Sequence, residues 1–402
     1  APRYNARDSA IKLSKIHNAK LILGSATPSL ESKFNALNKK YGYVKLTDTY
    51  GTSDPPEIKC IDMKIYYKAD KMIGLFTPEL YDAIKNKLAL DQQILLFQNR
   101  RGYAPIIECL TCGYIPKCRN CDVSLTFHQY SNSLKCHYCG FSEKNQKKCL
   151  KCNSIKSDMK GYGTQQIEEQ IKSFFPNAKV DRMDWDTTRG KYSVDKIFEK
   201  FENNEIDILI GTQMVTKGLD FKNIGLVGVL NADNILFFPN FRANERAFQT
   251  LTQVSGRAGR SSIKGSVIIQ TFSSDNKIFE FIKKQNHDGF YKQEITERSK
   301  FNYPPYYRLI KIIMKSRDSE TLKTASNWLF QSLSNGLIYP IYGPFDPHVS
   351  RIKNEFIKEV LIKYPNTNVR NKIKRHLMKS IESFESIAKF RVVKLNVDID
   401  PN

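Results

Sequence analysis

Apolar positions along this chain fall into two rhythms. Short unbroken runs occur at Leu21–Leu23, Ile94–Phe97, Ile208–Ile210, Ile224–Leu230 and Val267–Ile269. Runs of that length without polar alternation read as strands buried on both faces of a parallel sheet. Between them, apolar residues recur every three or four positions. This predicts helices over 29–37, over "TPELYDAIKNKLAL" opening at Thr77-Pro78, over "GTQQIEEQIKSFF" and over "FRANERAFQTLTQV". "KVDRMD" adds a short strand. Strand and helix alternating at these lengths predict a doubly wound α/β sheet. Residues 41–76, punctuated by Pro55-Pro56, show neither rhythm and are expected to be an irregular crossover.

From about Tyr303 the order changes. The pattern predicts strand 307–315, helix 319–334, strands 339–342 and 355–363, helix 369–385 and strand 391–398. That β-α-β-β-α-β order is the ferredoxin-like arrangement. Its second helix carries "NKIKRHLMKS", so one face is basic.

Between the two patterns lies a stretch of Cys, Lys and Asn with four C-x-x-C pairs: Cys109/Cys112, Cys118/Cys121, Cys136/Cys139 and Cys149/Cys152. Each pair can turn two thiolates toward one cation, and two pairs complete a tetrahedral Zn–S₄ site. Eight thiolates make two closed sites, structural rather than catalytic. Fourteen residues separate the inner pairs, a comfortable ribbon length, which leaves Cys109/Cys112 with Cys149/Cys152 as an outer site. Spacing also permits sequential pairing, since five residues separate Cys112 from Cys118. His128 and His137 read as ordinary ribbon residues, and Cys60 as a core thiol.

Charge narrows the partners. The 63 Lys and Arg against 41 Asp and Glu leave +22, an excess that points to a polyanion. No apolar run reaches the ~18 residues of a membrane span. With no signal peptide visible, the cysteines point to metal in a reducing compartment. The opening "PRYNARDSAIKLSKI" reads as the middle of a longer chain.

Four loops follow predicted strands: "GSATPS", "QNRRGYAP", "GTQMVTKGLDF" and "QVSGRAGR". Ligands of parallel α/β sheets bind beyond the carboxyl ends of the strands. Gly, hydroxyl and cationic residues there suit phosphate groups of nucleotides and nucleic acids. In the last loop Gly256 and Gly259 alternate with Arg257 and Arg260, whose guanidiniums match phosphate geometry and stay charged.

Together these stretches resemble superfamily 2 helicases, "GSATPSLES" being similar to motif III, "GTQMVTKGLDF" to motif V and "QVSGRAGR" to motif VI. With the paired-cysteine insertion, "PRYNARDSA", "LLFQNRRGYAP", "GYGTQQIEEQI" and the closing "DIDPN", the whole chain resembles the PriA family of replication-restart helicases. Asn231 and Asn240 stand where the family is associated with Asp.

The resemblance implies an ATP-dependent 3′→5′ DNA translocase acting at stalled forks, with a RecA-like P-loop NTPase lobe. It implies the end of lobe 1 and a crossover over 1–76, and lobe 2 over 77–107 and 155–300. A zinc insertion occupies 108–154 and a DNA-binding domain 301–402. It favours the nested zinc pairing. Arg257 and Arg260 become γ-phosphate-sensing residues, with Gln253 ordering their interface. Gly218 and Asp220 face nucleotide. Thr212, Gln213 and Lys217, with Ser25, Ala26 and Thr27, couple hydrolysis to DNA. Two Zn²⁺ are expected, with ATP and Mg²⁺ in the full-length protein. Forked DNA, primosome proteins and single-stranded DNA-binding protein are the implied partners of a cytoplasmic, nucleoid-associated monomer.

One departure limits that picture. No G-x-x-x-x-G-K-[ST] and no Asp-Glu-x-His precede the motif III stretch in these 402 residues. The resemblance places both upstream, so the chain is expected to be inactive as an ATPase by itself. The alternative is a zinc-ribbon DNA-binding module without its own motor. Tyr303, Tyr306 and Tyr307 either stack on unpaired bases or pack an interdomain joint.

Overall fold

The structure is a computed structural model. It describes residues 4–46, 55–99, 106–128, 132–146, 148–160, 163–184, 187–188, 193–216, 221, 223–259 and 264–401. The chain divides into two compact units. One holds residues 1–34, 106–160 and 295–402, the other 35–105 and 161–294.

The second unit is built on six parallel strands. Their order is Glu57–Asp62, Ser266–Thr271, Ile224–Val229, Gln93–Phe97, Ile208–Gly211 and Val180–Met183. The four inner strands are the unbroken apolar runs, as double-sided burial demands. Ile94, Leu96, Ile208 and Ile210 pack with Leu80 and Ile84 of helix Pro78–Leu88 and with Ile167 and Ile171 of helix Thr164–Phe174. Each of these side chains is fully buried, contributing about 1.5–3 kcal/mol apiece. Helix Pro78–Leu88 starts where Thr77 caps it, its hydroxyl accepting from the Leu80 N–H, with Pro78 in the first turn.

A buried glutamine ties this helix to the sheet. Gln270 accepts from the Thr77 N–H at 2.7 Å and donates to the carbonyls of Leu75 and Leu230, both at 3.0 Å. Nothing in the hydrophobic pattern marks it, because a glutamine in a strand reads as a polar interruption.

Two stretches depart from expectation. Residues 57–62 form an edge strand rather than irregular crossover. "EIKCID" has one partner strand and a half-exposed face, so its burial alternates weakly and its periodicity is faint. Conversely, Leu21–Leu23 is not a strand, and Ile22 is 93% exposed. Among the described residues no strand pairs with it, and an apolar run alone does not make a ladder.

In the first unit the C-terminal residues form an antiparallel sheet. Its order is Ile341–Phe345, Glu355–Pro365, Tyr307–Ser316, Lys394–Ile399, with helices Ser319–Ser334 and Arg370–Ser386 beside it. This is the ferredoxin-like order. Leu322, Ala325, Leu329 and Leu333 pack on Ile310, Ile312, Met314 and Val360. The two-residue strand Arg351–Ile352 adds a small hairpin to Glu355–Pro365.

The cysteine-rich segment joins the same unit. Strands Ile106–Cys109 and Ser157–Lys160 pair at its base, and Thr126–His128, Ser133–Lys135 and Ser142–Lys144 form a three-stranded ribbon. Among the described residues its buried apolar side chains other than cysteine are Leu125 and Leu134. Such a core is too small to hold a fold by burial, so the sulfur clusters must supply the difference.

Candidate metal centres and strand-end loops

The eight thiols gather into two clusters, Cys109/Cys112/Cys149/Cys152 and Cys118/Cys121/Cys136/Cys139. This is the nested arrangement; sequential pairing, which spacing left open, does not occur. Cys109 and Cys152 sulfurs lie 3.6 Å apart, as do those of Cys112 and Cys149, and Cys118 and Cys139 are at 3.5 Å. A zinc with Zn–S of ~2.3 Å spaces its four sulfurs about 3.8 Å apart, so both donor sets fit zinc.

Charge is shared unevenly within each cluster: Cys118 is pushed up to about 12 by burial and by the Cys139 and Cys136 thiols, while other sulfurs are brought down. Burial opposes ionisation of Cys109, yet the N–H groups of Cys112 and Thr111 and the adjacent thiols bring it down to about 6. Burial likewise opposes ionisation of Cys139, but the Phe141 amide and three neighbouring thiols bring it to about 7. His128 and His137 face each other at 3.2 Å through Nε2 and join neither cluster.

At the carboxyl edge of the parallel sheet, two strand ends meet through side chains. Thr212, 8% exposed, follows strand Ile208–Gly211, and Gln213 opens a 3₁₀ turn running to Thr216. Gln213 donates to Asn99 Oδ1 at 3.3 Å, and Asn99 lies just past strand Gln93–Phe97. Helix Ala243–Ser255, which carries Gln253, packs on the same 3₁₀ turn. It ends at Gly256, and Arg257 follows at 8% exposure. The structure therefore brings Thr212, Gln213, Gln253 and Arg257 onto neighbouring elements. Lys217, Gly218, Asp220 and Arg260 lie outside the described residues.

The turn after the helix needs its glycines. Gly259 has φ +72°, and its N–H bonds the Ile224 carbonyl at 3.1 Å. A Cβ on Gly265 would lie 2.5 Å from the Gly259 nitrogen. Gly265 is thus glycine because the arginine-bearing turn rests on it, a constraint that only tertiary proximity exposes.

Ser25, Ala26 and Thr27 belong to the other unit. Ser25 Oγ accepts from the Thr27 N–H at 3.1 Å, forming a local turn, and Thr27 is buried. Asn231 and Asn240 each accept from the N–H two residues on, at 2.9 and 2.8 Å. These are turn roles that Asp fills as well, so the departure at both positions is conservative.

Sequence reasoning missed two groups here. Asn99 sat in a quoted loop without being singled out. Asp184, fully buried at the end of strand Val180–Met183, receives Arg182 Nη1 at 3.0 Å and the Thr164 hydroxyl. Its only sequence signal is a charged residue directly after a strand. Two of the three tyrosines have ring contacts: Tyr306 meets Phe34 edge-on at 5.2 Å, and Lys363 Nζ sits 3.6 Å from the Tyr303 ring centre.

A parallel sheet of the RecA-like helicase type, a segment with two Cys₄ clusters inserted in its sequence and a ferredoxin-like domain define the class: a helicase-type lobe that carries a zinc ribbon. Residues 118–144 match the family described as "PriA DNA helicase Cys-rich region (CRR) domain", and residues 299–402 match "Primosomal protein N C-terminal domain". The chain is 37% identical over 402 residues to the replication restart protein PriA of Bacillus subtilis, covering 100% of this chain and 49% of that one. It is 38% identical over 406 residues to its counterpart in Chlamydia trachomatis, covering 100% and 53%. The chain belongs to the PriA family and spans about half the length of the curated relatives it matches. Among the described residues no helix is long and apolar enough to cross a membrane.

Proposed function

We propose that this chain is the part of an ATP-dependent 3′→5′ DNA helicase that carries the second motor lobe, a double zinc module and a DNA-binding domain. In this reading the whole protein reassembles replication at stalled forks, with forked DNA, primosome proteins and single-stranded DNA-binding protein as partners. The observation that carries it is the packing of helix Ala243–Ser255 on the Gln213–Thr216 turn. It joins the helix leading to Arg257 with the turn that would touch DNA.

Arg257, with Arg260, would meet the γ-phosphate and stabilise charge that develops there. Gln253 would hold that helix end in register. Gly218 and Asp220 would contact nucleotide. Thr212, Gln213 and Lys217 would grip the strand, and Ser25, Ala26 and Thr27 would link hydrolysis to its movement. Each zinc, bound by four thiolates with no open position, supplies folding energy rather than chemistry. ATP and Mg²⁺ belong to the full-length protein.

Phosphate release stimulated by single-stranded DNA tests the assignment. The full-length protein should hydrolyse ATP and the 402-residue chain should not. The second reading is a zinc-ribbon DNA-binding module without its own motor, and the two Cys₄ clusters and the basic helix suit it equally. It predicts no DNA-stimulated hydrolysis from the full-length protein either, and that result would replace the helicase reading.

A further inference from the structure

The four C-x-x-C turns are not equivalent. All four share one bond, from the first cysteine's N–H to the carbonyl five residues on: Tyr114, Val123, Phe141 and Ser154, at 2.8–2.9 Å. Three also close on themselves. Gly113, Gly140 and Asn153 have positive φ and donate their N–H to the carbonyls of Cys109, Cys136 and Cys149, at 2.8, 2.9 and 2.9 Å. In those three the second cysteine takes an N–H from two residues on: Tyr114 to Cys112, Phe141 to Cys139 and Ser154 to Cys152.

The Cys118–Cys121 turn lacks both closures. The residue at the closing position is Asp122, which has no positive φ. Its N–H goes to the Arg351 carbonyl at 2.9 Å, and the Cys121 sulfur accepts from the Lys353 N–H at 3.3 Å. Both partners lie more than two hundred residues away, in the hairpin Arg351–Phe356 of the ferredoxin-like domain. Lys353 and Asn354 both have positive φ, at 54° and 60°. A left-handed lysine is unfavourable, and here it is the conformation that aims an N–H at a metal-ligand sulfur. Side chains reinforce the seat. Arg351 Nε and Ser350 Oγ reach the Asp122 carboxylate at 3.0 and 2.9 Å, and the Asn354 N–H meets the Asn120 carbonyl at 2.8 Å. Ile352 packs on the sulfur-lined core.

We propose that this hairpin completes the inner metal site, so that zinc at Cys118/Cys121/Cys136/Cys139 and docking of the ferredoxin-like domain are one coupled event. The outer site closes by itself and stands outside the coupling. Asp122, Arg351 and Lys353 act as positioning residues through Cys121. Partners of this kind orient metal ligands and tune their affinity. The inference rests on zinc being the bound metal, and zinc content per chain, measured first, tests that separately.

In the zinc-loaded 402-residue chain, D122A/R351A should release one zinc per chain to a chromogenic chelator roughly tenfold faster than the parent, the second at the parent rate. Hydrogen exchange gives the reciprocal reading. Cys136→Ser/Cys139→Ser should lose amide protection over 350–357 while strand Tyr307–Ser316 keeps its own. Cys149→Ser/Cys152→Ser should leave 350–357 protected. The release experiment alters no cysteine, so it stands whatever the cysteine variants do to folding. Both zincs leaving D122A/R351A at the parent rate, or accelerating together, would overturn the proposal. So would a hairpin that stays protected without the inner site.

Discussion

Arg257 keeps 8% of its surface at a helix end, held by its own N–H to the Val254 carbonyl at 3.1 Å. In the proposed reading its guanidinium meets the γ-phosphate. In the full-length protein, Arg257→Ala should lower DNA-stimulated ATP hydrolysis by on the order of a thousandfold and leave single-stranded DNA affinity within twofold or so. A loss below about tenfold would remove Arg257 from phosphate contact. Cys60 offers an opposite case. Burial in strand Glu57–Asp62 pushes its thiol up to about 11 from the usual 9.0. Its thiolate fraction at pH 8 is then about a hundredfold below that of an ordinary thiol. Alkylation of the zinc-loaded chain should be slow at pH 8 and should accelerate steadily toward pH 11, mapping by peptide analysis to Cys60. Fast modification at pH 8 would mean the strand opens.

At the scale of elements, legibility followed local chemistry. Helix Ser319–Ser334 was readable end to end because Asp318 caps it, accepting from Glu320 and Thr321 N–H groups, and its leucines recur at helical spacing. The cysteine pairs were readable because one metal needs one spacing. What escaped depended on contacts distant in sequence. The run Leu21–Leu23 has the right residues and, among the described residues, no neighbouring strand, while strand Glu57–Asp62 has a neighbour and weak residues. The strand that opens the hairpin at Arg351 is two residues long, and its partner Asp122 is distant in sequence. Asn99 became visible only when Gln213 reached it. Gln270 belongs to this class and gives a test. Gln270→Leu preserves volume but strands the Thr77 N–H and two carbonyls in a dry core. Each unsatisfied group costs about 1–3 kcal/mol, so the variant should be destabilised by roughly 3 kcal/mol or more in urea unfolding. Zinc content should be unchanged, because the clusters lie in the other unit. A loss under about 1 kcal/mol would show that the loop re-forms its bonds elsewhere.

For the whole molecule the open quantity is what +22 is for. Helix Arg370–Ser386 shows how the charge is displayed. Ile373, Leu377 and Phe384 turn inward, while Arg370, Lys372, Lys374, Arg375 and Lys379 are all exposed. In the proposed reading this cationic face, on a helix docked by its apolar side, meets phosphates without disturbing the core. Each phosphate neutralised on duplex DNA contributes a slope of about −0.9 to log affinity against log salt. If the five exposed cations of this helix engage duplex together, they alone set a slope near −4.5. Titration of labelled duplex between 50 and 200 mM salt should therefore lose at least roughly two to three orders of magnitude in affinity. Changing Lys372, Lys374 and Lys379 to Gln together should make the slope shallower by about 2.7 while thermal stability stays unchanged. A slope shallower than about −2 in the parent, or one that the triple variant leaves untouched, would assign the charge to general composition and move the DNA contact to another surface.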